Sequence, residues 1–150
     1  MCILGIDPGL KGGIAIIDST AIVLAKPMPL VGKEIDTRAI GETIKQFNVT
    51  LAVIEKVHSM PGQGVASMFR FGMGYGMVKG ALSVLSIPTQ LVTPQAWKKV
   101  VLAGTKKNKN AAIEFVAMRY PSVNLTPGRI RKPHDGIADA VCLAAYGSII

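Results

Sequence analysis

The sequence predicts an α/β fold: a mixed sheet with helices on both faces. Two observations carry this. Short β-rich apolar runs alternate with segments of helical period, in the order β-β-β-α-β-α-β-α-α-α. The early strands are joined by glycine- and proline-rich turns, as in hairpins, whereas the later ones are separated by helices, as in parallel crossovers. Ile3–Ile6 and Gly13–Ile17 form a hairpin around Pro8-Gly9 and Gly12-Gly13, and Ala21–Ala25 continues the meander. Pro27, Pro29 and Gly32 mark a loop. Thr37–Phe47 places Ile40, Ile44 and Phe47 at helical spacing, with Glu42 and Lys45 outside. Leu51–Ile54 is a continuous apolar strand suited to the centre of a sheet.

Val57–Gly64 is a loop punctuated by Pro61-Gly62, and Val65–Leu85 reads as a long helix. That helix holds Gly72, Gly74, Gly76 and Gly80, each costing about 0.8–1 kcal/mol relative to alanine. Close packing against another helix, within the fold or across a dimer, would compensate; a bent helix or two shorter ones is the alternative. Pro88–Val92 is a further strand. Thr93-Pro94 has the cap and first-turn residues of a helix running to about Leu102. Gly104–Asn108 is a basic polar loop, Ala111–Arg119 a helix ended by Pro121, Pro127–Pro133 a second basic loop, and Asp135–Gly147 the final helix. No repeat or linker interrupts the chain, so residues 1–150 read as one domain.

Composition narrows the function. The chain has 17 Lys+Arg against 9 Asp+Glu, a formal net charge of +8 and a pI near 9.7, a balance that suits a polyanionic partner. Hydrophobic content of 49% excludes a disordered chain. No apolar run approaches the roughly 20 residues of a spanning helix, and no secretory signal opens the sequence, so the expectation is a cytoplasmic protein without a membrane partner. Cys2 and Cys142 lie in apolar contexts without metal-ligand spacing and read as buried free thiols of a reducing compartment.

Against this basic background, four acids sit in or beside hydrophobic segments. Asp7 ends Ile3–Ile6, Glu55 ends Leu51–Ile54, and Asp135 and Asp139 lie one helical turn apart ahead of the apolar stretch Ala140–Tyr146. Carboxylates so placed are normally paired with cations or bound to metal. Each has an ordinary reading as well: Asp7 could open a turn, Glu55 could pair with Lys56 or Arg70, Asp135 could cap its helix, and Asp139 could be a plain polar helix residue. Taken together they suggest an oxygen cage for Mg²⁺ or Mn²⁺ mounted on rigid elements, the donor set of metal-ion phosphodiester cleavage.

Three motifs, Gly5-Ile6-Asp7-Pro8-Gly9, Val53-Ile54-Glu55-Lys56-Val57 and His134-Asp135-Gly136-Ile137-Ala138-Asp139-Ala140, resemble those of the RuvC-type Holliday-junction resolvases of the ribonuclease H-like (retroviral integrase) superfamily. The resemblance spans nearly the whole chain in the right order. It implies an α/β ribonuclease H-like fold, a mixed five-stranded sheet flanked by helices, in a homodimeric enzyme. It further implies a Mg²⁺-dependent endonuclease, with Mn²⁺ able to substitute, two metals per site and no small-molecule cofactor. Water would attack in line at branched DNA, four-way junctions foremost, to give 5′-phosphate and 3′-hydroxyl ends. Asp7, Glu55 and Asp139 match the family's metal-binding catalytic acids. The fourth position departs: many relatives carry an acid or histidine three residues before the last Asp, where this chain has Gly136. Asp135, four before, shares a helix face with Asp139 and is the choice here, with His134 as second candidate.

Nine of the 17 Lys+Arg fall between Lys98 and Lys132, with Glu114 the single acid among them, and read as a track for phosphates. By the resemblance, Lys98 and Lys109 match family lysines near the cleaved phosphate, Lys98 serving catalysis by stabilising charge there. Lys106, Lys107, Arg129, Arg131 and Lys132 are expected as general DNA contacts. His58 stands where many bacterial relatives have an aromatic residue that stacks on junction bases; with the small size and the His-Asp-Gly-Ile-Ala-Asp pattern it makes the chain resemble the virus-encoded branch, acting in a bacterial cytoplasm or an infected host cell. Phe69, Phe71, Tyr75, Met60, Met68, Met73 and Met77 read as core or dimer packing. Competing readings are a flap or debranching nuclease, a ribonuclease H, a junction-binding protein that does not cleave, and an actin-like ATPase, for which the chain is too short.

Overall fold

A computed structural model describes residues 1–150. The elements are β1 (Cys2–Asp7), β2 (Gly13–Asp18), β3 (Ala21–Pro27), β4 (Leu30–Val31), β5 (Glu34–Ile35), α1 (Thr37–Phe47), β6 (Val49–Glu55), α2 (Val65–Val84), β7 (Thr89–Val92), α3 (Pro94–Val101), α4 (Ala111–Arg119) and α5 (Asp135–Ile149). The main sheet has five strands in the order β3-β2-β1-β6-β7. β2 lies antiparallel to β1 and to β3, whereas β6 runs parallel to β1 and β7 parallel to β6. The mixed sheet expected from early hairpins and later crossovers is therefore observed, with β1 in the middle.

Alternation along the strands divides the core. Leu4, Ile6, Ile14, Ile16 and Ile54 face α1 and α2, packing on Ile40, Ile44, Val78 and Leu82. Ile3, Ala15, Ile17 and Val53 face the other way, onto Trp97, Val116, Ile137, Val141 and Leu143 of α3, α4 and α5. Because side chains alternate with period two, Asp7 shares the face of Ile3, and Glu55 that of Val53. Both acids therefore project to the side covered by α5.

Local capping explains several boundaries. Asp36 accepts from the Ala39 N–H at 3.0 Å to start α1, and Asn48 ends it in the left-handed region at φ 51°. Thr93 accepts from the Ala96 N–H at 3.2 Å, with Pro94 in the first turn of α3.

One expectation is corrected. The segment read as a plain loop around Pro27, Pro29 and Gly32 holds the small β4–β5 hairpin, turned at Gly32 with φ 59°. Val65–Val84 is the single long helix that was expected, and the alternative of two shorter ones is not found. Of the aromatic and methionine residues read as core or dimer packing, Tyr75 packs against the core, whereas Phe69 is 72% exposed and Met60 and Met73 are exposed as well. Cys142 is buried and Cys2 half-buried, both unbridged. No helix is long and apolar enough to cross a membrane.

Candidate active site

Three elements bring the acids together. In the parallel pairing of β1 with β6, Ile6 sits opposite Ile54. Asp7 and Glu55, each one residue further on, thus leave the sheet side by side at the same end. α5 crosses this end, and glycines let it come close. A Cβ on Gly5 would collide with the Ala140 carbonyl oxygen and the Ala144 nitrogen. A Cβ on Gly136 would stand 2.5 Å from the Gly12 carbonyl carbon and the Lys11 carbonyl oxygen. The backbone contact that seats the helix leaves no room for a side chain at position 136, which accounts for the absence of a ligand there and makes Asp135 the carboxylate available one turn before Asp139.

The electrostatics record the crowding. Asp7 is half-buried and its pKa is raised to about 7, by burial first and then by the charges of Asp139, Glu55 and Asp135. Asp139 is raised to about 6, by burial and then by Glu55 and Asp135, against the opposing pull of Lys98. Neither of the two ion pairs in the molecule, Met1–Asp18 and Arg38–Glu42, involves these acids, so the pairing of Glu55 with Lys56 or Arg70 is not made. The four carboxylates share one negative field but do not converge into a tight cage: no three acidic, histidine or cysteine side chains meet at ion-binding distance. Mutual repulsion and a tether on Glu55 both oppose such convergence. Glu55 Oε2 accepts a hydrogen bond of 2.7 Å from the indole Nε1–H of Trp97, which is fully buried. A set of carboxylate oxygens unneutralised by arginine or lysine pairing has the donor chemistry of a hard divalent cation site.

At the start of α5 the cap is His134, whose Nδ1 accepts from the Ile137 N–H at 3.1 Å. The alternative role of Asp135 as N-cap is thereby excluded: Asp135 is the first helical residue and is exposed. His134, the second candidate for the fourth ligand, has one ring nitrogen engaged in capping and only Nε2 free.

Lys98, Asn108, Lys109, Asp135 and Asp139 line one narrow cleft of about 160 Å³. A broader cleft of about 940 Å³ adjoins it, walled by Gln95, Lys98, Lys99, Thr105, Lys106, Lys107 and Lys109. The structure thus joins Lys98 and Lys109 to the acids and places Lys106 and Lys107 beside them. His58, Arg129, Arg131 and Lys132 are exposed and line neither cleft. Sequence reasoning passed over Trp97. The available signal was a lone tryptophan immediately before Lys98, whose indole N–H needs an acceptor once buried.

No family model and no curated protein matches the sequence. Solved structures do. RuvC of Thermus thermophilus superposes with a TM-score of 0.70 at 18% identity over 97% of this chain and 92% of that one. The same protein in complex with Holliday junction substrate gives 0.74 at 16% identity. The chain has the fold of RuvC. Fowlpox virus resolvase, solved with substrate Holliday junction DNA, matches at TM-score 0.57 and 16% identity over 98% of both chains. The yeast mitochondrial Holliday junction resolvase Ydc2 matches at 0.54 and 15%. The ribonuclease H-like sheet that the motifs implied is therefore the architecture found, and β1, β6 and α5 of this RuvC-like fold are the elements that carry the acids.

Proposed function

We propose that this protein is a metal-dependent, structure-specific endonuclease that cuts branched DNA, four-way junctions foremost. The carrying observation is that Asp7, Glu55 and Asp139, from three separate elements, share one negative field without a cationic pair, beside the lysine-lined clefts. That these neighbours are junction resolvases, two of them solved on junction DNA, supports the substrate class.

Asp7, Glu55, Asp135 and Asp139 would hold Mg²⁺ or Mn²⁺, two ions in the full site. Bound there, the metal supplies a Lewis acid that activates water and neutralises the phosphate. The protein's own part is to keep Asp7 and Glu55 on rigid strand ends and to exclude solvent with α5. A proton that burial and the neighbouring acids favour on Asp7 would have to leave for a cation to be held there, so affinity would rise with pH. Lys98 faces Asp139 and is placed to meet charge growing on the phosphate, with Lys109 beside it. The broad lysine cleft holds the flanking backbone.

A homodimer fits the two-fold symmetry of a four-way junction. α2 supports this. Phe69, Gly72, Met73, Gly76 and Gly80 recur at helical spacing on one face, and a Cβ on Gly72, Gly76 or Gly80 would meet nothing within 4 Å. Packing inside the chain gives these glycines no reason; a second copy of the helix would.

The test is cleavage of labelled four-way, three-way, flap and linear DNA side by side with Mg²⁺, with Asp7→Asn as control. Junction cutting that Asp7→Asn abolishes is expected. Equal cutting of flap and junction would make the enzyme a general debranching nuclease. Tight junction binding without cutting under any divalent cation would overturn the nuclease reading.

A further inference from the structure

We propose that Trp97 is a positioning residue that fixes how Glu55 meets a cation: its indole N–H holds Oε2, leaving Oε1 to ligate alone. This rests on the reading of the acids as a divalent-cation site.

The bond is built into the sheet. Glu55 lies opposite Val92 in the parallel β6–β7 pairing. Thr93, the next residue, caps α3, and Trp97 follows one helical turn later, so its ring falls over the end of β6. The start of α3 is pinned by the Thr93 cap and by Pro94, and the ring is fully buried among Ile3, Val53, Val92, Val101 and Val141. The donor therefore cannot follow a moving acceptor; the acceptor is held to the donor. A glutamate has three side-chain torsions, and at 2.7 Å to an ionised acceptor the bond is of charge-assisted length. An indole donates and cannot accept, so the contact persists whether or not a cation arrives. Of the four acids, Glu55 alone receives a side-chain hydrogen bond. Asp7 is fixed by its strand and Asp139 by its helix, whereas the longer Glu55 needs a separate anchor.

Trp97→Phe keeps an aromatic ring in the pocket and removes only the donor. Calorimetric titration of DNA-free protein with Mn²⁺ is expected to show affinity about 10-fold weaker than wild type, the scale at which loss of a partner to a ligating group is felt. The metal concentration for half-maximal junction cleavage should rise by a similar factor, while the rate at saturating metal changes far less and junction affinity in Ca²⁺ stays put. A ring that merely fills the core would instead lower the melting temperature without moving the Mn²⁺ isotherm, and that result overturns the proposal while leaving the nuclease reading intact. Wild-type protein that neither binds Mn²⁺ nor cuts would overturn both. The folded chain offers a second measurement: Trp97 is its one tryptophan, so a single indole N–H resonance reports the bond. Glu55→Gln should move that resonance, and Mn²⁺ should broaden it in the wild type; a resonance indifferent to both overturns the assignment even if Trp97→Phe does not fold.

Discussion

α5 and α2 are the two longest helices, both rich in apolar residues and both containing glycine, and they use these residues in opposite ways. α5 buries ten of its residues against the sheet, and glycines at the contact are where its backbone touches β1 and the turn after it. α2 buries three, Gly74, Val78 and Leu82, and leaves Gly72, Gly76 and Gly80 over open space. Glycine in the first contact is a requirement of the fold; in the second it is a cost the fold alone does not explain. Position in the sequence cannot distinguish the two. What lies beneath the helix does.

The largest expected effect falls on the α5 side, where the contact carries the chemistry. Asp139→Asn or Asp7→Asn should slow junction cleavage by on the order of 10²–10³-fold, the scale for losing one preorganised charge-stabilising group, with junction affinity retained. Single-turnover kinetics on labelled junctions would measure it, and a near wild-type rate would show that the α5 face is structural only. Asp135→Asn should fall in the same direction; if it is silent while His134→Ala is inactive, the fourth ligand is His134 through Nε2.

Gly5→Ala comes next. Its methyl would drive α5 off β1, at a cost of about 3 kcal/mol in urea denaturation. A smaller effect is linked to pH. The Asp7 carboxyl titrates near 7 in the fold against 3.8 unfolded, so folding favours its protonated form. Its contribution is fully present below 3.8 and is lost as pH rises through 7. Metal-free Asp7→Asn should therefore melt higher than wild type at pH 8, and the gap should close as pH falls toward 4. A constant gap across that range would mean that neither burial nor the neighbouring acids raise the Asp7 carboxyl.

The smallest effect belongs to α2. Gly76→Ala should stabilise the dilute protein by about 1 kcal/mol, since the methyl meets nothing and helix propensity improves. In sedimentation at micromolar concentration the same change should weaken self-association. A protein that stays monomeric both free and on DNA would remove the homodimer reading and leave the open face of α2 without a partner.

Much of the fold was legible because its boundaries are written in neighbouring residues. Asp36 before Thr37, Thr93 before Pro94 and glycine-proline turns around β1 and β2 are local signals, and α1 and α4 begin and end where the periodicity puts them. The β4–β5 hairpin escaped because strands of two residues have no periodicity to read. The acids were legible through chemical incongruity: charge at the ends of apolar strands. Trp97 was not, because its partner is 42 residues away and only the β6–β7 register brings them together. The cap of α5 stayed hidden for another reason, although Asp135 was chosen as a ligand and its capping role was only the alternative. Asp is a common N-cap and His is not, so nothing in the sequence pointed to His134 as the residue that performs it.

The order in which the chain leaves the ribosome gives the placement of the acids a consequence in time. β1 delivers Asp7 first of the four and β6 adds Glu55 next, but Asp135 and Asp139 arrive only with α5, after every strand of the main sheet. Until that helix docks, Ile3, Ala15, Ile17 and Val53 lack the cover that α5 gives them, and the carboxylate set is incomplete. On the proposed nuclease reading, a chain whose α5 has not yet docked has no competent centre: burial of the α5 face and completion of the carboxylate set are one event.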